Sequence, residues 1–85
     1  MNCKKDSEFL KALGHPVRLK MVEGLMSNKC NVNEIAKKLN LPQSTVSQHL
    51  SILRTQGIII PQKSGVKTCY KVISQKAKDI LKILR

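Results

Sequence analysis

The sequence predicts a mainly α fold carrying one β-hairpin, in the order α-α-α-α-β-β-α over residues 1–85. Three observations predict it. Apolar residues recur at helical spacing up to about Gln56, the period drops to two between Ile58 and Val72, and helical spacing returns after Ser74. No repeat, low-complexity tract or linker interrupts the chain, which therefore reads as one domain.

Asp6 or Ser7 is placed to cap a first helix with Phe9, Leu10 and Leu13 on one side, and Gly14 to end it. His15-Pro16 restarts the chain, because proline suits a first helical turn. Val17 to about Ser27 sets Val22, Leu25 and Met26 at helical spacing, and Ser27-Asn28-Lys29-Cys30 makes a polar break. Asn31, with Glu34 three residues on, fits an N-cap for a two-turn helix bearing Ile35, Ala36 and Leu39. Asn40-Leu41-Pro42 is a compact turn. From Gln43 to Gln56 a longer helix aligns Val46, Leu50 and Leu53, and Gly57 stops it. Ile58-Ile59-Ile60 begins a hairpin turning at Lys63-Ser64-Gly65 and returning over Val66 to Val72. Alternation sets Lys67, Cys69 and Lys71 on one of its faces. Ser74 then caps a last helix with Ala77, Ile80, Leu81 and Leu84 aligned.

Composition narrows the function. An 85-residue chain buries only about two-thirds of the surface its unfolded form exposes, so a second core shared in a homodimer is expected. No apolar run reaches the ~18 residues of a membrane span. The opening Met1-Asn2-Cys3-Lys4-Lys5-Asp6 is too polar for a signal peptide, so a cytoplasmic location is expected. Sixteen Lys and Arg against five Asp and Glu give a net charge of +11, which attracts polyanions. One Phe, one Tyr and no Trp are too few for a surface that stacks single-stranded bases. The cations run from Lys4 to Arg85 rather than along one membrane-binding helix face. Duplex nucleic acid is the partner this balance favours. No nucleophile–base pairing, glycine-rich phosphate loop or carboxylate cluster suggests an enzyme, and no cofactor is expected.

The helices over Asn31 to Gln56, joined by a short turn, form a helix-turn-helix pattern. On the second of them Val46, Leu50 and Leu53 point inward, whereas Ser44, Gln48 and Ser51 point away and Thr45 and Ser47 lie on the flanks. From Gln43 to Leu53 there is no acidic or Lys/Arg side chain. A plain solvent-facing helix usually carries Lys–Glu pairs there. Small hydroxyls allow close approach to base edges, and a glutamine pairs with adenine or bridges to phosphate. The expected DNA-contacting set is Gln43, Ser44, Thr45, Ser47, Gln48, His49 and Arg54, with Lys63 and Lys67 of the hairpin on phosphates. His49 lies at the edge of the buried row and has two roles open to it, a phosphate contact or packing.

Phe9 to Leu19, with its His15-Pro16-Val17-Arg18 segment, resembles the opening of ArsR/SmtB-type repressors. Leu41-Pro42-Gln43-Ser44-Thr45-Val46-Ser47-Gln48-His49-Leu50 resembles their recognition helix. Leu53-Arg54, Gly57 and the hairpin to Tyr70 resemble the segment that follows it. The resemblance spans about Phe9 to Val72. It implies a winged helix-turn-helix homodimer, joined through the first and last helices, that represses transcription by occupying an inverted-repeat operator. Phe9, Leu13, Ile80 and Leu84 are the interface residues expected on those helices.

Members of that family often bind metals through a Cys-x-Cys pair where this chain has Asn31 and Asn33, or through His and carboxylate ligands on a last helix that here offers only Asp79. No resident metal is expected, short of an unusual inter-subunit site using Cys3 and Cys30. Cys3, Cys30 and Cys69 lack a disulfide-framework spacing and are expected to be free thiols. Each is a candidate thiol switch, Cys69 foremost, because Lys67 and Lys71 beside it favour thiolate. Two further readings remain open: a redox- or persulfide-responsive repressor, and an interaction module that keeps the fold without reading DNA.

Overall fold

The computed structural model describes residues 2–27, 32–64 and 67–85, and within them the elements follow the predicted order. They are α1 (Cys3–Leu13), α2 (Pro16–Met26), α3 (Val32–Leu39), α4 (Gln43–Thr55), β1 (Ile59–Ser64), β2 (Lys67–Val72) and α5 (Gln75–Leu84).

Helix α1 starts earlier than the sequence suggested. Asn2, not Asp6 or Ser7, is its N-cap: the Asn2 side-chain oxygen accepts the Lys5 N–H at 3.2 Å. Cys3 therefore sits in the first turn of a helix and is an exposed free thiol. Gly14 closes the helix, its N–H donating to the Leu10 carbonyl at 2.8 Å. His15 caps α2 through Nδ1, which accepts the Val17 N–H at 3.1 Å, and Pro16 occupies the first turn. The Asn31 cap expected for α3 lies outside the described residues. Ser74 caps α5 by accepting the Ala77 N–H at 3.1 Å.

The turns obey local sterics. Asn40 after α3 and Gly57 after α4 both take left-handed φ, 55° and 71°. Asparagine and glycine are the residues that tolerate that region best. The hairpin pairs antiparallel from Ile59↔Val72 to Ser64↔Lys67. Lys63 and Ser64 thus belong to β1 rather than to the turn expected at Lys63-Ser64-Gly65, and residues 65 and 66 lie outside the described residues.

One apolar core joins the elements. Met21 and Val22 of α2, Val46 and Leu53 of α4, and Ile58 and Ile59 at the hairpin base are all but fully buried. Each such side chain contributes about 1.5–3 kcal/mol relative to an exposed one. Leu13 is only 3% exposed and belongs to this core, so it is not available to a second chain, contrary to expectation. Its neighbour Ala12 is buried with it, which turns Leu10 outward instead. Phe9 and Ile80 are half-buried against the same core, and Leu84 is exposed. The Lys76 ammonium lies 5.8 Å from the centre of the Phe9 ring, which sets α5 beside α1.

Cys69 differs from expectation in being disulfide-bonded rather than a free thiol, and it is buried. At the base of the hairpin α2 packs on β2 and α4 packs on β1, so strand alternation does not sort buried from exposed positions there. Cys30 lies outside the described residues. No described helix is long and apolar enough to cross a membrane.

Candidate nucleic-acid interface

Helix α4 is anchored from within. Val46 and Leu53 are buried, Leu50 is half-buried, and Val46 N–H returns to the Pro42 carbonyl at 3.1 Å. With those positions fixed inward, Gln43, Ser44, Ser47, Gln48, Ser51 and Arg54 are all exposed, and Thr45 is half-exposed. The structure thus brings most of the expected set onto one outward face. Pro42 stands at the N-cap and supplies no side-chain hydrogen bond to the first turn. The amides of that turn carry the positive end of the helix dipole, which favours an anion. Lys63 is exposed on β1. Lys67 opens β2 opposite Ser64, and its side chain lies outside the described residues.

The charge around this face is of one sign. Between Ile35 and Lys78 the chain carries no Asp or Glu, while Lys37, Lys38, Arg54, Lys63, Lys67 and Lys71 all fall within that stretch. All five carboxylates lie in α1, α2, α3 and α5, outside α4 and the hairpin. A polyanion approaching α4 and the hairpin therefore meets cations and hydroxyls, and no carboxylate, on those elements themselves.

His49 does not join the outward row. It is 9% exposed, and its ring lies 4.7 Å from that of His15 at an interplanar angle of 49°. Arg18 Nη1 lies 3.1 Å from His49 Nδ1. Guanidinium only donates, so Nδ1 accepts and the imidazole is the neutral form protonated at Nε2. The same guanidinium donates from Nε to the Ala12 carbonyl at 2.7 Å and from Nη2 to the Lys11 carbonyl at 3.2 Å. Arg18 thereby ties the end of α1 to α2 and α4. Arg18 carried a signal in the sequence only within the His15-Pro16-Val17-Arg18 segment, and its link to His49, 31 positions away, has no local signal. Of the two roles open to His49, the geometry supports packing.

Burial first, then the His15 ring and the Arg18 guanidinium, lower the His49 pKa from its ordinary 6.5. A depressed folded pKa means that the unfolded chain binds the proton more readily. Stability is then fully present above about pH 6.5 and declines as pH falls toward the lowered native value. Thermal melts at about pH 7.5 and about pH 5.5 check this: the wild-type Tm is expected to fall more than that of His49→Gln. Equal drops in both proteins would remove His49 as the cause.

With this geometry established, similarity to known proteins is informative. Residues 15–60 match the family described as "Bacterial regulatory protein, arsR family". The transcriptional repressor PagR of Bacillus anthracis is 40% identical over 85 residues, spanning 99% of this chain and 85% of that protein. The crystal structure of PagR superposes with a TM-score of 0.81 at 39% identity, over 98% of this chain and 95% of that one. The structure of HlyU from Vibrio cholerae superposes with a TM-score of 0.86 at 32% identity, over 98% and 90% of the two chains. HlyU is named a transcriptional activator and PagR a repressor, so one scaffold serves both outcomes. The match covers the helix-turn-helix and the start of the hairpin, and the full winged helix-turn-helix architecture is shared, so this chain belongs to the arsR family of bacterial regulatory proteins.

Proposed function

We propose that the chain is a transcriptional repressor that acts in the cytoplasm as a homodimer on an inverted-repeat operator. The observation that carries this reading is the outward face of α4. It combines uncharged Ser, Thr and Gln side chains and an inner row anchored by buried Val46 and Leu53, within a stretch from Ile35 to Lys78 that carries no carboxylate. Ser44 and Gln48 are positioned to meet base edges in the major groove, with Gln43, Thr45 and Ser47 flanking them. Arg54, Lys63 and Lys67 neutralise phosphates, which sets register and makes binding salt-dependent. The 40% identity to a protein named a repressor supports repression as the outcome.

The dimer follows from surface that the chain leaves open. Leu10 is 55% exposed on α1, and Ile83 and Leu84 are 82% and 58% exposed on α5. Phe9 and Ile80, half-buried in the chain's own core, border them. Leu10 and Ile83 thus join Phe9, Ile80 and Leu84 in the proposed interface, and Leu13 leaves it. The thiol-responsive alternative named Cys3, Cys30 and Cys69, with Cys69 foremost as a free thiol; Cys69 is buried and disulfide-bonded, and the alternative is not carried forward.

Fluorescence anisotropy on the duplex upstream of the chain's own gene, against a scrambled duplex, tests the reading. Preferred binding saturating at two subunits per site is expected. Gln48→Ala should lose about 1–3 kcal/mol on that duplex while leaving scrambled-duplex binding in place. Equal affinity for both duplexes, vanishing together at moderate salt, would defeat the sequence-specific reading.

A further inference from the structure

A notch of about 200 Å³ opens between α4 and β2, lined by Ser47, Leu50, Ser51, Arg54 and Tyr70. We infer that it is a site for a single backbone phosphate of duplex DNA, in which Ser51 and Tyr70 join Arg54 as donors. The inference rests on the DNA-binding reading above and adds two residues to it, neither among the contacts expected from the sequence.

Three observations converge on a phosphate. The lining residues include an arginine and three hydroxyl-bearing side chains and no Asp or Glu, residue types that supply the donors an anion needs. Ser47, Ser51 and Arg54 follow one another at steps of four and three along α4, and they run into its C-terminal half. In a helix-turn-helix the first residues of the recognition helix read base edges. Positions two and three turns further on come out of the groove beside the strand that borders it, where phosphates stand. Tyr70 approaches from β2, so the notch joins helix and hairpin at the place where one strand would pass between them.

The floor strengthens the case. Leu50 and Tyr70 are half-buried and packed against the core, so part of the notch wall is apolar and fixed. Hydrogen bonds to a phosphate oxygen are charge-assisted and gain strength where water is thinned. The notch is also smaller than the ~300–1,000 Å³ typical of small-molecule pockets, which favours one phosphate over a whole metabolite.

Phosphate neutralisation tests this directly. A duplex is first selected from a random pool by the wild-type protein, and single methylphosphonates are then placed at each position of a half-site. Neutralising one phosphate is expected to weaken wild-type binding roughly tenfold. Tyr70→Phe and Arg54→Gln should each lose roughly tenfold on the unmodified duplex, with Ser51→Ala losing less, and no variant should lose more on the duplex neutralised at that position. Tyr70→Phe keeps the ring that packs on the core, so an unchanged melting curve separates a lost contact from a lost fold. Losses that multiply at every phosphate position would overturn the inference while leaving DNA binding intact. Failure of the pool to yield any preferred duplex would overturn both the inference and the DNA-binding reading. Calorimetry with inorganic phosphate alone separates the two sources of this anion. No saturable binding is expected, and saturable binding abolished by Arg54→Gln would assign the notch to a free anion instead.

Discussion

The double substitution Leu10→Glu, Ile83→Glu is expected to leave a folded monomer whose operator affinity has dropped about a hundredfold or more. Both side chains are largely exposed in the single chain, so replacing them removes little of its own core. In the dimer each would place an uncompensated carboxylate in an apolar contact, which costs several kcal/mol. Operator affinity falls further because the second half-site is no longer held at high effective concentration by the first. Sedimentation velocity reads the mass and anisotropy reads the affinity. A variant that still sediments as a dimer would show that the two chains meet elsewhere. Ile80 is a poorer target for the same test, because it packs partly on its own core and a charge there mixes folding with association.

Leu53→Ala is the substitution expected to cost most within the fold, about 2–5 kcal/mol. Leu53 has no exposed surface, and nothing polar replaces the volume it would vacate. Small domains have total stabilities toward the low end of about 5–15 kcal/mol, so this one change removes a large share. Because Leu53 holds the C-terminal half of α4 against the hairpin base, the variant should lose its far-ultraviolet signal and its DNA binding together on warming. Chemical denaturation giving a change below about 1 kcal/mol would show that α4 is anchored mainly by other contacts.

How much of this was legible in the sequence depends on the range of the interactions involved. The course of α4 was readable because Val46, Leu50 and Leu53 repeat at helical spacing beside an unbroken polar row. The cap at Ser74 and the restart of the chain at His15-Pro16 were readable because each needs only the next two or three residues. The start of α1 was misplaced because Asp6 and Ser7 are equally good caps by type, and only backbone geometry selected Asn2. The role of Leu13 was misassigned because an apolar stripe does not reveal whether it meets its own chain or another; Ala12 and Leu13 turn inward together and leave Leu10 outside. The environment of Cys69 was hidden by cover on the hairpin base from two different helices. The inward turn of His49 depended on Arg18 and His15, which no local pattern links to it. The phosphate notch needed both α4 and β2, so Tyr70 carried no signal until the hairpin was seen beside the helix.

The three hydrogen bonds of Arg18 have a consequence for the operators the protein will accept. One guanidinium grips two carbonyls at the end of α1 and one imidazole on α4. In the proposed dimer α1 faces the two-fold axis and α4 faces the DNA, so the span from axis to reading head is a fixed arm. Two such arms form a calliper with little play. Operators whose half-sites are moved apart by even one base pair should then be rejected, because neither arm stretches or turns to follow them.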